Sequence, residues 1–73
     1  MPKLYSSRTV INSLHRAGFE TISHKGSHIK LRGIVNGKLQ TVIVPDHKEI
    51  ARGTFTSILS QANLTKQEFE SFL

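Results

Sequence analysis

The chain has 73 residues, ten Lys and Arg against five Asp and Glu, a formal charge of +5 and no cysteine. That length allows one domain with a core worth about 3–5 kcal/mol, which excludes an enclosed large cofactor and leaves any active site shallow. The missing cysteines exclude disulfides and thiolate metal sites and favour an intracellular home over a secreted scaffold. No apolar run approaches the roughly 20 residues of a membrane span, and residues 1–8 carry no apolar signal core. The expectation is one domain over residues 1–73, cytoplasmic, with no membrane contact. Nine of the ten cations lie in residues 1–62 beside three of the five acids, so the body is the basic part. Such a body suits a polyanion or an acidic protein, or serves solubility alone.

Ser6 and Ser7 can cap a helix, and Val10, Ile11, Leu14 and Ala17 follow at helical spacing until Gly18 supplies a stop. The first helix is expected over residues 7–17, with Arg8, Asn12 and Arg16 toward solvent. Phe19 to His24 alternates weakly and reads as a short strand. Lys25-Gly26-Ser27 is a turn, leading into the strict alternation of His28-Ile29-Lys30-Leu31-Arg32.

Asn36-Gly37 is a strong hairpin signal. A two-residue turn there places Val35 opposite Lys38, Leu31 opposite Val42 and Ile29 opposite Val44, all on one apolar face. His28 then lies opposite Pro45, Lys30 opposite Ile43 and Arg32 opposite Thr41 on the other. The turn and the hydrophobic pattern agree independently. Ile43 has no structural reason on that polar face, which leaves it open to being covered by a partner.

Residues 46–52 read as a connection. Gly53-Thr54 opens a second helix with Phe55, Ile58, Leu59 and Ala62 on one face, stopped at Asn63. Thr65 and Glu68 form a capping-box pattern for a short last helix carrying Phe69, Phe72 and Leu73. The predicted order is α-β-β-β-α plus a terminal helix. This is an α+β domain with a three-stranded antiparallel sheet and helices on one face.

His28 is the leading candidate for chemistry, at the mouth of a hairpin on the polar face beside Lys30 and Arg32. An imidazole titrating near about 6.5 takes or gives a proton at neutral pH. RNA carries its own nucleophile, the 2′-hydroxyl. Its cleavage therefore needs little more than a base at that hydroxyl and positive charge at the phosphate. By position alone, a solvated surface histidine is the commoner reading. His47 is either the second half of an acid–base pair, a phosphate ligand or an ordinary turn histidine. A zinc site built from His24, His28 and His47 has no supporting carboxylate or cysteine spacing. With five acidic residues in all, a nuclease built on several metal-binding carboxylates is disfavoured.

Lys25, Gly26 and Ser27 suit a phosphate, through backbone N–H groups and one charge, or form a plain turn. Gly53 and Thr54, beside Lys48 and Arg52, offer a helix N-terminus to a phosphate or a simple cap. Arg8 and Arg16 read most simply as a solvated face.

Together these pieces resemble the HicA family of toxins. The resemblance rests on Leu14-His15-Arg16-Ala17-Gly18-Phe19, Lys25-Gly26-Ser27-His28, Val44-Pro45-Asp46-His47, Ile50-Ala51-Arg52-Gly53-Thr54 and Ile58-Leu59. It covers residues 7 to about 64; residues 65–73 lie outside it. It implies a fold like the double-stranded-RNA-binding domain and a small prokaryotic mRNA interferase of a toxin–antitoxin pair. His28, in Gly-Ser-His, would be its catalytic histidine. It further implies neutralisation by a HicB-type antitoxin that covers the site and itself binds promoter DNA, so that the toxin meets DNA only indirectly. No cofactor is called for. One departure is Leu31, where family members often carry an aromatic, which argues against base stacking there. The rival readings are a non-catalytic module recognising double-stranded RNA by shape and a domain that binds an acidic protein.

Overall fold

A computed structural model describes residues 4–73; Lys3, counted above with the basic body, lies outside the described residues. The element order is α1 (Ser7–Arg16), β1 (Glu20–Lys25), β2 (His28–Val35), β3 (Lys38–Pro45), α2 (Arg52–Ala62) and α3 (Lys66–Ser71). The strands form one antiparallel sheet in the order β1-β2-β3. This is the predicted α+β arrangement.

Local chemistry sets the ends of α1. The Ser6 hydroxyl oxygen accepts the Thr9 N–H at 3.1 Å, satisfying a donor the helix cannot. At the other end Gly18 takes φ +104°, the Phe19 N–H donates to Leu14 O at 2.9 Å and the Gly18 N–H to His15 O at 3.1 Å. That crossed pair is a Schellman motif, and its usual apolar contact is made by Phe19 and Leu14, both buried in the core. Phe19 therefore closes the helix rather than opening the strand. β1 begins at Glu20 and runs on through Lys25, one residue beyond its expected end.

The β2–β3 hairpin has the expected register throughout, from His28 opposite Pro45 to Val35 opposite Lys38. Asn36 and Gly37 have φ of +52° and +76°, the two positive values a type I′ turn needs. On β1 the pairing slips between Thr21 and Ser23. Ile22 is the extra residue of a β-bulge, which twists an edge strand away from further pairing. The opposite edge is guarded differently: the outward N–H of Ile43 donates to Gln61 Oε1 of α2 at 2.8 Å.

Ile29, Leu31, Val42 and Val44 are buried beneath the helices with Val10, Leu14, Phe19, Ile50, Ile58, Ala62 and Phe69. Gly33 also faces this core, where a Cβ would stand 2.8 Å from Cγ of Phe19. The glycine lets the Phe19 ring lie directly on the sheet.

The second helix corrects its predicted start. It begins at Arg52, with Ala51 as a cap that makes no side-chain hydrogen bond. Gly53 and Thr54 lie inside its first turn, and Thr54 is not a cap. Ala51 still leads in because its extended backbone (φ −59°, ψ 150°) presents its carbonyl to the Phe55 N–H at 2.9 Å. At α3 the capping box forms in both directions, Thr65 N–H to Glu68 Oε1 at 2.8 Å and Glu68 N–H to Thr65 Oγ1 at 3.0 Å.

Segment 65–73 packs on the body. Phe69 meets Phe55 and Tyr5 with ring centroids 5.0 and 5.4 Å apart. The Ser13 hydroxyl donates to Phe69 O at 2.9 Å and Arg16 Nη1 to Phe72 O at 3.1 Å. Desolvation, and after it the charge and hydrogen bond of Glu70, push the Tyr5 hydroxyl above its ordinary pKa. No helix among the described residues is long and apolar enough to cross a membrane.

Candidate functional site

The helices cover one side of the sheet and leave the other bare. Register assigns that bare face. From β2 it takes His28, Lys30, Arg32 and Ile34; opposite them on β3 lie Pro45, Ile43, Thr41 and Leu39. From β1 it takes Lys25 opposite His28, Ser23 opposite Lys30 and Glu20 opposite Arg32.

His28 is the first residue of the central strand and is exposed. Lys25 flanks it on one side and Pro45 on the other. Directly opposed residues of neighbouring strands stand about 4.5–5.5 Å apart at Cβ, so the Lys25 side chain shares the space in front of the His28 imidazole. Lys30 comes next along the strand on the same face and is half-buried. His28 makes no hydrogen bond to another described side chain, so its ring is available to a ligand.

The turn before His28 is anchored from below. Gly26 has φ +56° at the first central position of the two-residue Gly26-Ser27 turn, as a type II′ turn requires. Ser27 O accepts the Asp46 N–H at 2.7 Å, tying this turn to the segment that leaves β3. The Asp46 carboxylate accepts from the Ser7 hydroxyl at 3.2 Å and sits 3.7 Å from His24 Nε2. Both members of that histidine pair are about half exposed, so it adds little stability. Its consequence is positional: β1, the turn, the β3 exit and the start of α1 converge beneath His28.

The other predicted residues divide. His24 pairs with Ile29, and His28 pairs with Lys25, so the two histidines lie on opposite sides of the sheet. Among the described residues no group of three or more His, Cys, Asp or Glu is placed to hold a metal ion. His47 is exposed, and its carbonyl accepts the Ser7 N–H at 3.0 Å; this carries its backbone toward α1. Lys48, Arg52, Gly53 and Thr54 are exposed at the start of α2. Arg52 lines a cleft with Tyr5, Ile50, Phe55 and Leu59, none of which belongs to the bare sheet face.

Arg32 is on the predicted face, but Glu20 stands directly opposite it and offsets its charge. The most cationic end of the face is therefore Lys25, His28 and Lys30. The bulge made Glu20's position illegible in the sequence: straight pairing without the extra Ile22 would turn Glu20 to the other face. The far end of the face is apolar. Ile34 and Leu39, paired across the hairpin, are 68% and 61% exposed, and Ile43 is 37% exposed.

Chemically, the arrangement offers one proton-transfer group between primary amines on an open, flat surface. The cleft beside Tyr5, Arg52 and Phe55 lies away from it. Residues 7–64 match the family described as the HicA toxin of bacterial toxin–antitoxin pairs. The match spans α1 to the end of α2 and stops before α3. No curated protein matches the chain.

Proposed function

The chain belongs to the HicA toxin family of bacterial toxin–antitoxin pairs, and from that premise we propose that it is an mRNA endoribonuclease with His28 as its catalytic residue. The observation that carries this reading is the placing of His28: an exposed imidazole on the bare sheet face, with Lys25 opposite and Lys30 next on the same side.

The chemistry follows from what RNA supplies. The strand lies across the sheet with a phosphate near Lys25 and Lys30. Neutral His28 takes the proton of the adjacent 2′-hydroxyl. The 2′-oxygen attacks phosphorus, the bond from phosphorus to the 5′-oxygen breaks, and that oxygen is protonated from solvent. The products are a 2′,3′-cyclic phosphate and a 5′-hydroxyl end. The ammonium groups stabilise the charge that develops on the phosphoryl oxygens. No metal is needed, because the nucleophile is internal to the substrate. Gly26 and Ser27 contribute backbone N–H groups at the same phosphate, and Arg32 a weaker contact. His47, Lys48, Arg52, Gly53 and Thr54 hold RNA beyond the sheet.

Cleavage of mRNA in the prokaryotic cytoplasm would stop translation until a HicB-type antitoxin covers the face, and DNA would be met only through that antitoxin. The test is expression of the chain and of His28→Ala in a bacterial host, followed by growth and RNA integrity. Wild type should arrest growth and fragment mRNA, and the variant should do neither. If both are harmless although folded, the reading fails and a non-catalytic RNA-binding module takes its place.

A further inference from the structure

The bare sheet face changes character along its length, and the apolar end has no use in the chemistry proposed for His28. Ile34 and Leu39 form a directly opposed cross-strand pair, each more than three-fifths exposed. No helix lies on this side. His28 and Ile34 are six positions apart on β2, about 20 Å along an extended strand. An RNA backbone gains nothing from aliphatic side chains, since protein–nucleic acid interfaces are markedly polar and cationic. A protein interface wants the opposite: an apolar centre with charges at its rim.

We propose that Ile34 and Leu39 are the anchor for the antitoxin, an acidic protein that seats apolar side chains on this pair and carboxylates on Lys30 and Lys25. The proposal rests on the toxin reading above and adds where, and by what chemistry, the partner holds on. Lys25 and Lys30 on this face call for an acidic partner. The same face runs from the aliphatic pair, past Ile43, to the cations around His28, so one element about 20 Å long meets both zones. The edge beside the pair is also available. Ile43 points its N–H outward to Gln61, and the period of two along β3 sends the N–H groups of Thr41 and Leu39 out of the same edge, where no described side chain meets them. A partner strand can pair there while its side chains cover Leu39. Anchoring at the apolar end leaves the toxin's RNA contacts unaltered when the antitoxin is removed.

The experiment uses the full chain and the protein encoded by the reading frame adjoining its own. Ile34→Thr/Leu39→Thr keeps strand-forming residues; Leu39→Lys changes one exposed position and is the second variant, should the double one fail to fold. Affinity for the adjoining-frame protein should fall tenfold or more, the usual loss at an apolar hot spot. Cleavage of RNA by the free variants should stay within about twofold of wild type. Unchanged affinity overturns the proposal, as does failure of that protein to bind the wild-type chain. A parallel loss of RNA cleavage by a folded variant assigns the pair to RNA and overturns it too, and so does self-association of the free chain that the variants abolish. Absence of cleavage by the wild type, with the affinity loss intact, would sink the ribonuclease reading and leave the docking surface standing.

Discussion

Single residues make the bare face uneven in charge. Lys30 and Arg32 are alternate cations on one strand, and the sequence makes them equivalent. The fold does not, because Glu20 stands opposite Arg32 while Ser23 stands opposite Lys30. Lys30→Ala should therefore weaken binding of single-stranded RNA more than Arg32→Ala does. The difference is measurable by titration at several salt concentrations. Losing a phosphate contact should lower the salt slope by about 0.7, and equal slopes for the two variants would contradict the assignment. Gly33 is the second such residue. Its Cβ would stand 2.8 Å from the Phe19 ring and 3.0 Å from Phe19 Cα, and the backbone atom cannot swing aside. Gly33→Ala should cost about 1–3 kcal/mol, the range for overpacking a core, read by urea unfolding. Neither residue's significance was legible in the sequence. Both depend on which atoms a distant segment brings across the sheet.

The elements show where local signals suffice. Asn36-Gly37 and the alternation around it specified the β2–β3 register pair by pair, because turn geometry and side-chain period constrain the same variable. Gly18 and the Thr65–Glu68 box marked helix ends for equally local reasons. Ile22 carries no bulge signature, so the slip in β1 was not readable, and with it went Glu20's side of the sheet. The start of α2 was misplaced because Ala51 caps through its carbonyl alone, without a polar side chain to announce it. α3 lies beyond the family match, yet its Phe69 is fully buried and completes an aromatic cluster with Tyr5 and Phe55. The sequence marked Phe69 as packing surface and gave no sign of Tyr5, which joins from the other end of the chain. Phe69→Ala should cost about 3–5 kcal/mol, as much as the whole core of so small a domain supplies. The variant should be largely unfolded at 25 °C by circular dichroism, and a melting temperature close to wild type would contradict this.

At the scale of the molecule, the fold solves the problem of a chain too small to enclose a substrate. Both helices of the family-matched region and α3 sit on the apolar side of the sheet, and the free side becomes a platform. A hydrogen-bonded junction at Asp46, to Ser7 and to Ser27 O, ties down the end that carries His28. In the proposed reaction RNA would supply its own nucleophile, and one positioned imidazole with neighbouring amines would complete the requirement. The platform and the position of His28 on it were legible from the hairpin alone. The charge gradient along it required the three-strand pairing. The role of His28 is tested by the end chemistry of RNA cut by the purified chain in the presence of a metal chelator. The cut ends should carry 2′,3′-cyclic phosphate and 5′-hydroxyl groups, a strand with 2′-deoxyribose at the cut position should stay intact, and His28→Ala should not cleave. Ends bearing a 5′-phosphate, or cutting of the 2′-deoxy strand, would contradict that role.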